Sequence, residues 1–292
     1  NTLSKGDGFI MLKLLKNMKM DLELKGYSPK TIDAYLRYVK KFHQFYQRPI
    51  EQLHTDEIRN YLHHLIVVKK CSHSYVNVNY SALKFLYRNT LNKHWDIDKI
   101  PRMKKEQKQP VILSKSEVKT ILNATTYMKH KAIFSTFYSA CLRISEVRKL
   151  TINDIDSNNM QIRVQKAKGK KDRYTLLSKN NLSLLREYWK EFRPEHWLFP
   201  GSPETKAISA RTIQQSFKNN LNKTTISKNA TVHTLRHCFA THLLEAGVDI
   251  FHIQKLLGHS SPKTTARYIH LTRKDILDVK SPLDMIDGDN ND

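Results

Sequence analysis

A chain of 292 residues is long enough to bury a full hydrophobic core in at least one domain and to divide into two. Fifty basic residues against twenty-seven acidic ones leave a formal charge of +23, which asks for a polyanionic partner: nucleic acid, an acidic membrane surface or a phosphorylated protein. A bilayer span is excluded because no apolar run approaches roughly 18–20 residues, and three cysteines without a C-x-x-C pair exclude a disulfide framework and a zinc ribbon.

In chain order, the first ten residues read as a leader or remnant outside the fold, with no apolar core of a signal peptide. Apolar residues then recur with a helical rhythm at Ile10, Leu14, Leu15, Met18 and Leu22 until Gly26-Tyr27 breaks it. Ser28-Pro29 starts a second helix, serine as cap and proline in the first turn. Its apolar side holds Ile32, Tyr35, Leu36, Val39, Phe42 and Tyr46, and its other side Lys30, Arg37, Lys40 and Lys41. Thr55-Asp56-Glu57 caps a third helix through Ile58, Tyr61, Leu62 and Leu65. A fourth follows Ser72 through Val76, Tyr80, Leu83, Phe85, Leu86 and Tyr87. Four amphipathic helices with short connections predict a small bundle over residues 11–96. Residues 97–112 carry two prolines and five basic residues without an apolar period, so they read as an extended interdomain linker lying against something negative.

The second domain, residues 113–270, opens at Ser114-Lys-Ser-Glu117, a capping box. The helix over 131–137 is almost wholly apolar, as expected of a buried one, and leads to Arg143-Ile-Ser-Glu146. Residues 160–164 and 173–177 read as strands of a hairpin joined by a lysine-rich turn. Helices follow at 179–192 and 209–221. The predicted fold is therefore mainly α, with a four-helix bundle ahead of a mostly helical α+β domain that holds a small antiparallel sheet.

Residues 231–270 place polar side chains where a core-forming helix does not want them. His233, Arg236 and His237 fall on one face within a turn. Gly258 closes a helix just ahead of His259, and Ser261-Pro262 opens another that carries Tyr268. Attack on a phosphodiester by a side-chain oxygen needs a nucleophile, cations for the non-bridging oxygens and an acid for the leaving alkoxide. Arginine suits the second task because its planar fork grips two phosphate oxygens and keeps its charge. A turn lysine suits the third, since its pKa falls when it is desolvated beside arginines. His233 and His237 beside Cys238 also suggest zinc, but HTLRH lacks the glutamate of HExxH and no further ligand cluster lies near. His237 and His242 read as structural, with Phe239, Leu243, Leu244, Ile250, Ile253, Leu256 and Leu257 as core.

These residues resemble the tyrosine recombinase (phage integrase-like) family: Arg143 in LRISE, Lys168 in AKGKKDR, His233 and Arg236 in HTLRH, His259 in LLGH, and Tyr268 nine residues on. The resemblance covers the whole chain. It implies a SAM-like core-binding bundle, a basic linker and a catalytic domain, and a DNA strand-breaking and rejoining enzyme. By that resemblance Tyr268 attacks the scissile phosphate to give a 3′-phosphotyrosyl intermediate on the way to a Holliday junction. Arg143 and Arg236 hold the non-bridging oxygens, and Lys168 protonates the leaving 5′-oxygen. His233 is the acid/base partner at the tyrosine, His259 hydrogen-bonds the phosphate, and Glu146 orients or tunes the cations. Energy conserved in the phosphotyrosine implies no ATP, and side-chain cations imply no metal. Two departures are Cys141, where the family often has glycine, and Cys238, where serine is common.

The segment ALKFLYRNTLNKHWDIDKIPRMKKEQKQPVILSKSEV and the tail Lys280-Ser-Pro-Leu-Asp284 are similar to integron integrases, yet the helical insertion of that branch is absent between Phe217 and Ala230. The expected role is integration or excision of a mobile element at double-stranded sites, with a Xer-type chromosome dimer resolvase as the alternative. A type IB topoisomerase and a catalytically vestigial DNA-binding accessory protein are further rivals. Candidate DNA contacts are Lys30, Arg37, Lys40, Lys41, Lys84, Arg88, Lys104, Lys105, Lys170, Lys171 and Arg173, most of them on phosphates. Residues 271–292 are apolar at roughly helical spacing; in relatives such a tail docks on a neighbouring protomer. The resemblance thus implies a tetramer on two DNA sites, acting in the cytoplasm at the nucleoid and without a membrane.

Overall fold

The computed structural model describes residues 5–96, 99–104, 109–165, 172–258, 261–266 and 268. The chain divides into two units, Asn1–Lys108 and Gln109–Asp292. The first contains α1 (Lys5–Leu24), α2 (Pro29–Tyr46), α3 (Thr55–Val67) and α4 (His73–Phe85), the last prolonged by a π-helical turn over Leu86–Thr90. Residues 5–10, expected outside the fold, are the first turns of α1.

Side-chain caps set the helix frames. Ser28 and Ser72 accept from the amides of Thr31 and Tyr75, both at 3.3 Å, and so satisfy donors that a helix start leaves over. On α3 the cap falls one residue earlier than expected: the His54 amide donates to the Glu57 carboxylate at 2.8 Å. Met18, Leu22, Val39, Phe42, Leu53, Leu83 and Leu86 are fully buried in one core, each contributing on the order of 1.5–3 kcal/mol. Ile100 is buried in the same core and Met103 packs against it. The described residues 99–104 and 109–112 form no helix, in keeping with their lack of an apolar period.

The second unit holds α5 (Lys115–Ala124), α6 (Met128–Ala140), α7 (Ile144–Val147), α8 (Lys179–Phe192), α9 (Ala210–Leu221), α10 (Val232–Glu245), α11 (Ile250–Leu257) and α12 (Pro262–Ala266). The capping box forms: the Ser114 amide donates to Glu117 at 2.6 Å, and the Glu117 amide to Ser114 Oγ at 3.1 Å. The apolar run lies within α6, whose Ala132, Ile133, Phe134, Phe137 and Ala140 are fully buried where it packs on α8, α9 and α10. The sheet has three antiparallel strands in the order β1 (Ile155–Asp156), β2 (Gln161–Val164), β3 (Arg173–Leu176). The predicted hairpin is present, with Val164 paired to Arg173 and Ile162 to Thr175. The added strand β1, only two residues long, is too short to show a period of two. Ile162 and Val164 alternate inward onto the core, as a half-buried strand requires. The mainly helical, α+β expectation holds.

Candidate active site

Two helix ends and one strand start bring the polar residues together. α6 stops at Cys141, whose backbone is left-handed (φ 54°), the conformation glycine adopts at least cost. This explains why glycine suits the position. Two residues on, the Arg143 amide donates to Glu146 at 2.7 Å and opens α7. Across from it α11 ends at Gly258, also left-handed (φ 60°), which is the C-terminal turn the sequence predicts.

Glu146 lies at the centre. Arg143 Nη1 donates to its Oε1 at 2.8 Å. Arg173, the first residue of β3, forks onto both carboxylate oxygens at 3.0 and 3.1 Å. Arg236, on α10 and 5% exposed, has Nη1 4.0 Å from Oε2. The same three guanidiniums cap α11. Arg173 Nε donates to the Leu256 carbonyl at 3.4 Å, Arg236 Nη2 to Leu257 at 2.6 Å, and Arg143 Nη2 to Gly258 at 3.2 Å. Arg236 Nη1 donates also to the Cys141 carbonyl. A helix's last carbonyls have no donor within the helix and carry its negative dipole end, so three consecutive arginine contacts are favourable there. One carboxylate faces three guanidiniums, and positive charge is in excess.

That field shifts the titratable groups. Burial pushes the Glu146 carboxyl up, but hydrogen bonds and charge from Arg173, then from Arg143, more than offset it and hold it below the ordinary carboxylate value. Burial, then Arg236 and Arg143, lowers the His233 imidazole, so it is neutral at pH 7. Burial lowers Arg236 also and pushes the Cys141 thiol up to about 12.

Tyr268 is buried, 2% exposed, among Cys141, Phe239, Ala240, Ile253 and Leu257, and its amide donates to the Thr265 carbonyl at 2.9 Å. Its hydroxyl lies 2.9 Å from Nδ1 of His237, with the rings tilted at 47°. The sequence assigned His237 a structural role and gave the tyrosine to His233; in the structure His237 meets the hydroxyl. Both are on one face of α10 a turn apart, and only the placement of Tyr268 separates them. His242 is structural as expected, bridging the Tyr138 hydroxyl (2.9 Å) and the Leu113 carbonyl (3.0 Å). The Leu113 amide donates to the sulfur of Cys238 at 3.2 Å.

Arg173, expected on a DNA phosphate, is instead bound to Glu146, with its side chain only 12% exposed. Lys168, His259, Lys105, Lys170, Lys171 and the tail 271–292 lie outside the described residues. The remaining DNA candidates are on the first unit. Lys30, Arg37, Lys40, Lys41, Arg88 and Lys104 are exposed and Lys84 is half-buried. Arg37 and Lys41 lie over the rings of Tyr38 and Tyr75, at 5.3 and 5.5 Å, which holds their stems while the charge faces water. Lys30 lines one cleft, Lys84 and Arg88 another, and Arg102 and Tyr35 line both. Arg102 is not among the candidates read from the sequence, although Lys104 and Lys105 of the same stretch are. On the second unit a cleft of about 650 Å³ beside Arg143 is lined by Lys149, Arg163, His196 and Trp197. Among the described residues no group of three or more His, Cys, Asp or Glu could hold a metal ion, and no helix is long and apolar enough to cross a membrane.

Known proteins share this organisation. Residues 111–275 match the phage integrase family and residues 14–97 its N-terminal SAM-like domain. The Sinorhizobium fredii protein y4qK, named for an integrase/recombinase, is 38% identical over 95% of this chain and 90% of its own. The tyrosine recombinase XerA of Pyrococcus horikoshii is 33% identical over 89% of this chain and 90% of its own. In structure, the Tn1549 transposon integrase in complex with circular intermediate DNA matches with a TM-score of 0.70 at 18% identity, over 87% of this chain and 94% of that one, a likeness of fold. The chain is a tyrosine recombinase and belongs to the phage integrase family.

Proposed function

We propose that this enzyme recombines DNA site-specifically, with Tyr268 attacking the scissile phosphate to form a 3′-phosphotyrosyl intermediate and release a 5′-hydroxyl. Arg143 and Arg236 hold the non-bridging oxygens and neutralise the charge that grows on them in the transition state. His237, at the tyrosine hydroxyl, takes the proton as the oxygen attacks, and His233 completes the polar face of α10. Lys168 protonates the departing 5′-oxygen and His259 hydrogen-bonds the phosphate. Rejoining reverses these steps on a second strand, through a Holliday junction and without ATP or a metal. The observation that carries this reading is the gathering of Arg143 and Arg236 at Glu146 beside a buried tyrosine whose hydroxyl meets an imidazole.

The substrate in this reading is double-stranded DNA, held by phosphate contacts from Lys30, Arg37, Lys40, Lys41, Lys84, Arg88 and Lys104, and the working form is a tetramer on two sites in the cytoplasm. We assign it to integration or excision of a mobile element, a role supported by the name and identity of y4qK. The likeness to XerA favours a second reading as a chromosome dimer resolvase.

The test begins with duplexes retained by the intact chain from a random-sequence pool. They are remade with a nick beside the scissile position, incubated with protein in EDTA and run on a denaturing gel. A covalent protein–DNA adduct is expected. None on a duplex that the protein binds overturns the proposal, and an adduct persisting in Tyr268→Phe removes Tyr268 as nucleophile.

A further inference from the structure

We propose that Arg173 is a positioning residue for the phosphate clamp: its fork shares Glu146 with Arg143 and keeps that carboxylate from drawing in Arg236, so that more of the clamp's charge is available to a phosphate. The inference rests on the reading of Arg143 and Arg236 as that clamp. Three observations carry it. First, the Arg173 fork is bidentate, at 3.0 and 3.1 Å, whereas Arg236 stands back from the same carboxylate at 4.0 Å. Second, the Arg173 side chain is 12% exposed and its Nε is directed at the Leu256 carbonyl, so its donors point into the protein and not toward a DNA groove. Third, the guanidinium runs beneath Gly258: a β-carbon there would lie 2.8 Å from Cδ and Nε of Arg173. The path of this side chain is built into the backbone.

Glu146 is 9% exposed on its side chain. A carboxylate so buried is costly unless it is paired. With Arg173 removed, Oε2 keeps the Arg143 amide at 2.7 Å and loses its guanidinium, and the next one is Arg236 at 4.0 Å, which also holds the Cys141 carbonyl, while Arg143 Nη1 is bonded to Oε1. The clamp would close on Glu146 and not on its substrate. Arg173 also starts β3, so one side chain ties that strand to the arginine centre.

The experiment uses the selected, nicked duplex and the full chain. Arg173→Met is expected to slow adduct formation about 10–100-fold, the loss typical when a partner that orients a metal ligand is removed, while leaving DNA affinity and its salt slope unchanged. If Arg173 acts by neutralising Glu146, then Glu146→Gln in the Arg173→Met background restores about tenfold of the lost rate, a coupling that a double-mutant cycle measures. A double variant as slow as Arg173→Met, or slower, overturns the proposal. So does a salt slope lowered by about one, the mark of a lost direct phosphate contact. If Arg173→Met does not fold, the same cycle is run with Arg173→Lys, which keeps the charge but not the fork. Arg143→Ala serves as the separate control: wild-type cleavage by that variant removes the clamp reading itself, whatever the Arg173 variants do.

Discussion

Position 141 carries a side chain where the backbone prefers none. Cys141 is fully buried at φ 54°, and left-handed backbone costs a residue with a β-carbon on the order of 1 kcal/mol more than glycine. Cys141→Gly and Cys141→Ala lose the same buried sulfur and differ by one β-carbon, so their difference reports chiefly on the backbone. The glycine variant should be the more stable by about 1 kcal/mol in urea unfolding; equal stabilities would remove the argument. At Tyr268 the matter is chemical. A base that accepts a proton in the transition state is worth about 10²–10⁴ in rate. His237→Ala should slow adduct formation by at least the lower figure, whereas a merely packing role would leave the rate within a few-fold of wild type.

At the scale of the helix and strand, what the sequence makes legible is what neighbours in the chain decide. Ser28, Ser72 and Ser114 cap helices where the pattern places them, because a cap bonds to an amide three residues away. The box at α5 is reinforced from a distance, since Lys228 donates to Glu117 at 2.7 Å. Ser114→Ala should cost about 1 kcal/mol in thermal or urea unfolding, and Glu117 should then lose part of its hold on Lys228. Arg143, Arg236 and Tyr268 were legible by another route, as motifs whose order and spacing resemble those of a known family. Long-range contacts were not. Nothing local distinguishes Arg173 from the lysines before it; only the arrival of Glu146, 27 residues earlier in the chain, turns a DNA candidate into an internal fork. The contact of His237 with the Tyr268 hydroxyl was hidden likewise, as its partner lies 31 residues away.

For the molecule as a whole, protonation should weaken the second unit. His130, His233 and His242 are all lowered, each first by burial; nearby lysine adds to this for His130, and Arg236 and Arg143 for His233. The folded form therefore binds fewer protons than the unfolded one, and this stability is complete above the unfolded histidine value, near 6.5, and lost as pH falls through the lowered values. Glu146 and Asp154, also lowered, extend the loss below the ordinary carboxylate range, where Asp154 holds Arg163 and Gln165. Hydrogen exchange on the full chain should show protection in residues 109–258 falling between pH 7.5 and 5.5. Protection that rises over that interval would reverse the sign of the argument.

The close passage of Arg173 under Gly258 also constrains how this protein can change by descent. An alanine at 258 meets two obstacles at once, a left-handed backbone and a guanidinium that Glu146 keeps from stepping aside. The second obstacle disappears if 173 has already become a short residue, and the first does not. The two positions are therefore epistatic, and the order in which they change matters. A lineage can lose Arg173 while keeping Gly258, but it can hardly relax Gly258 while Arg173 is still in place.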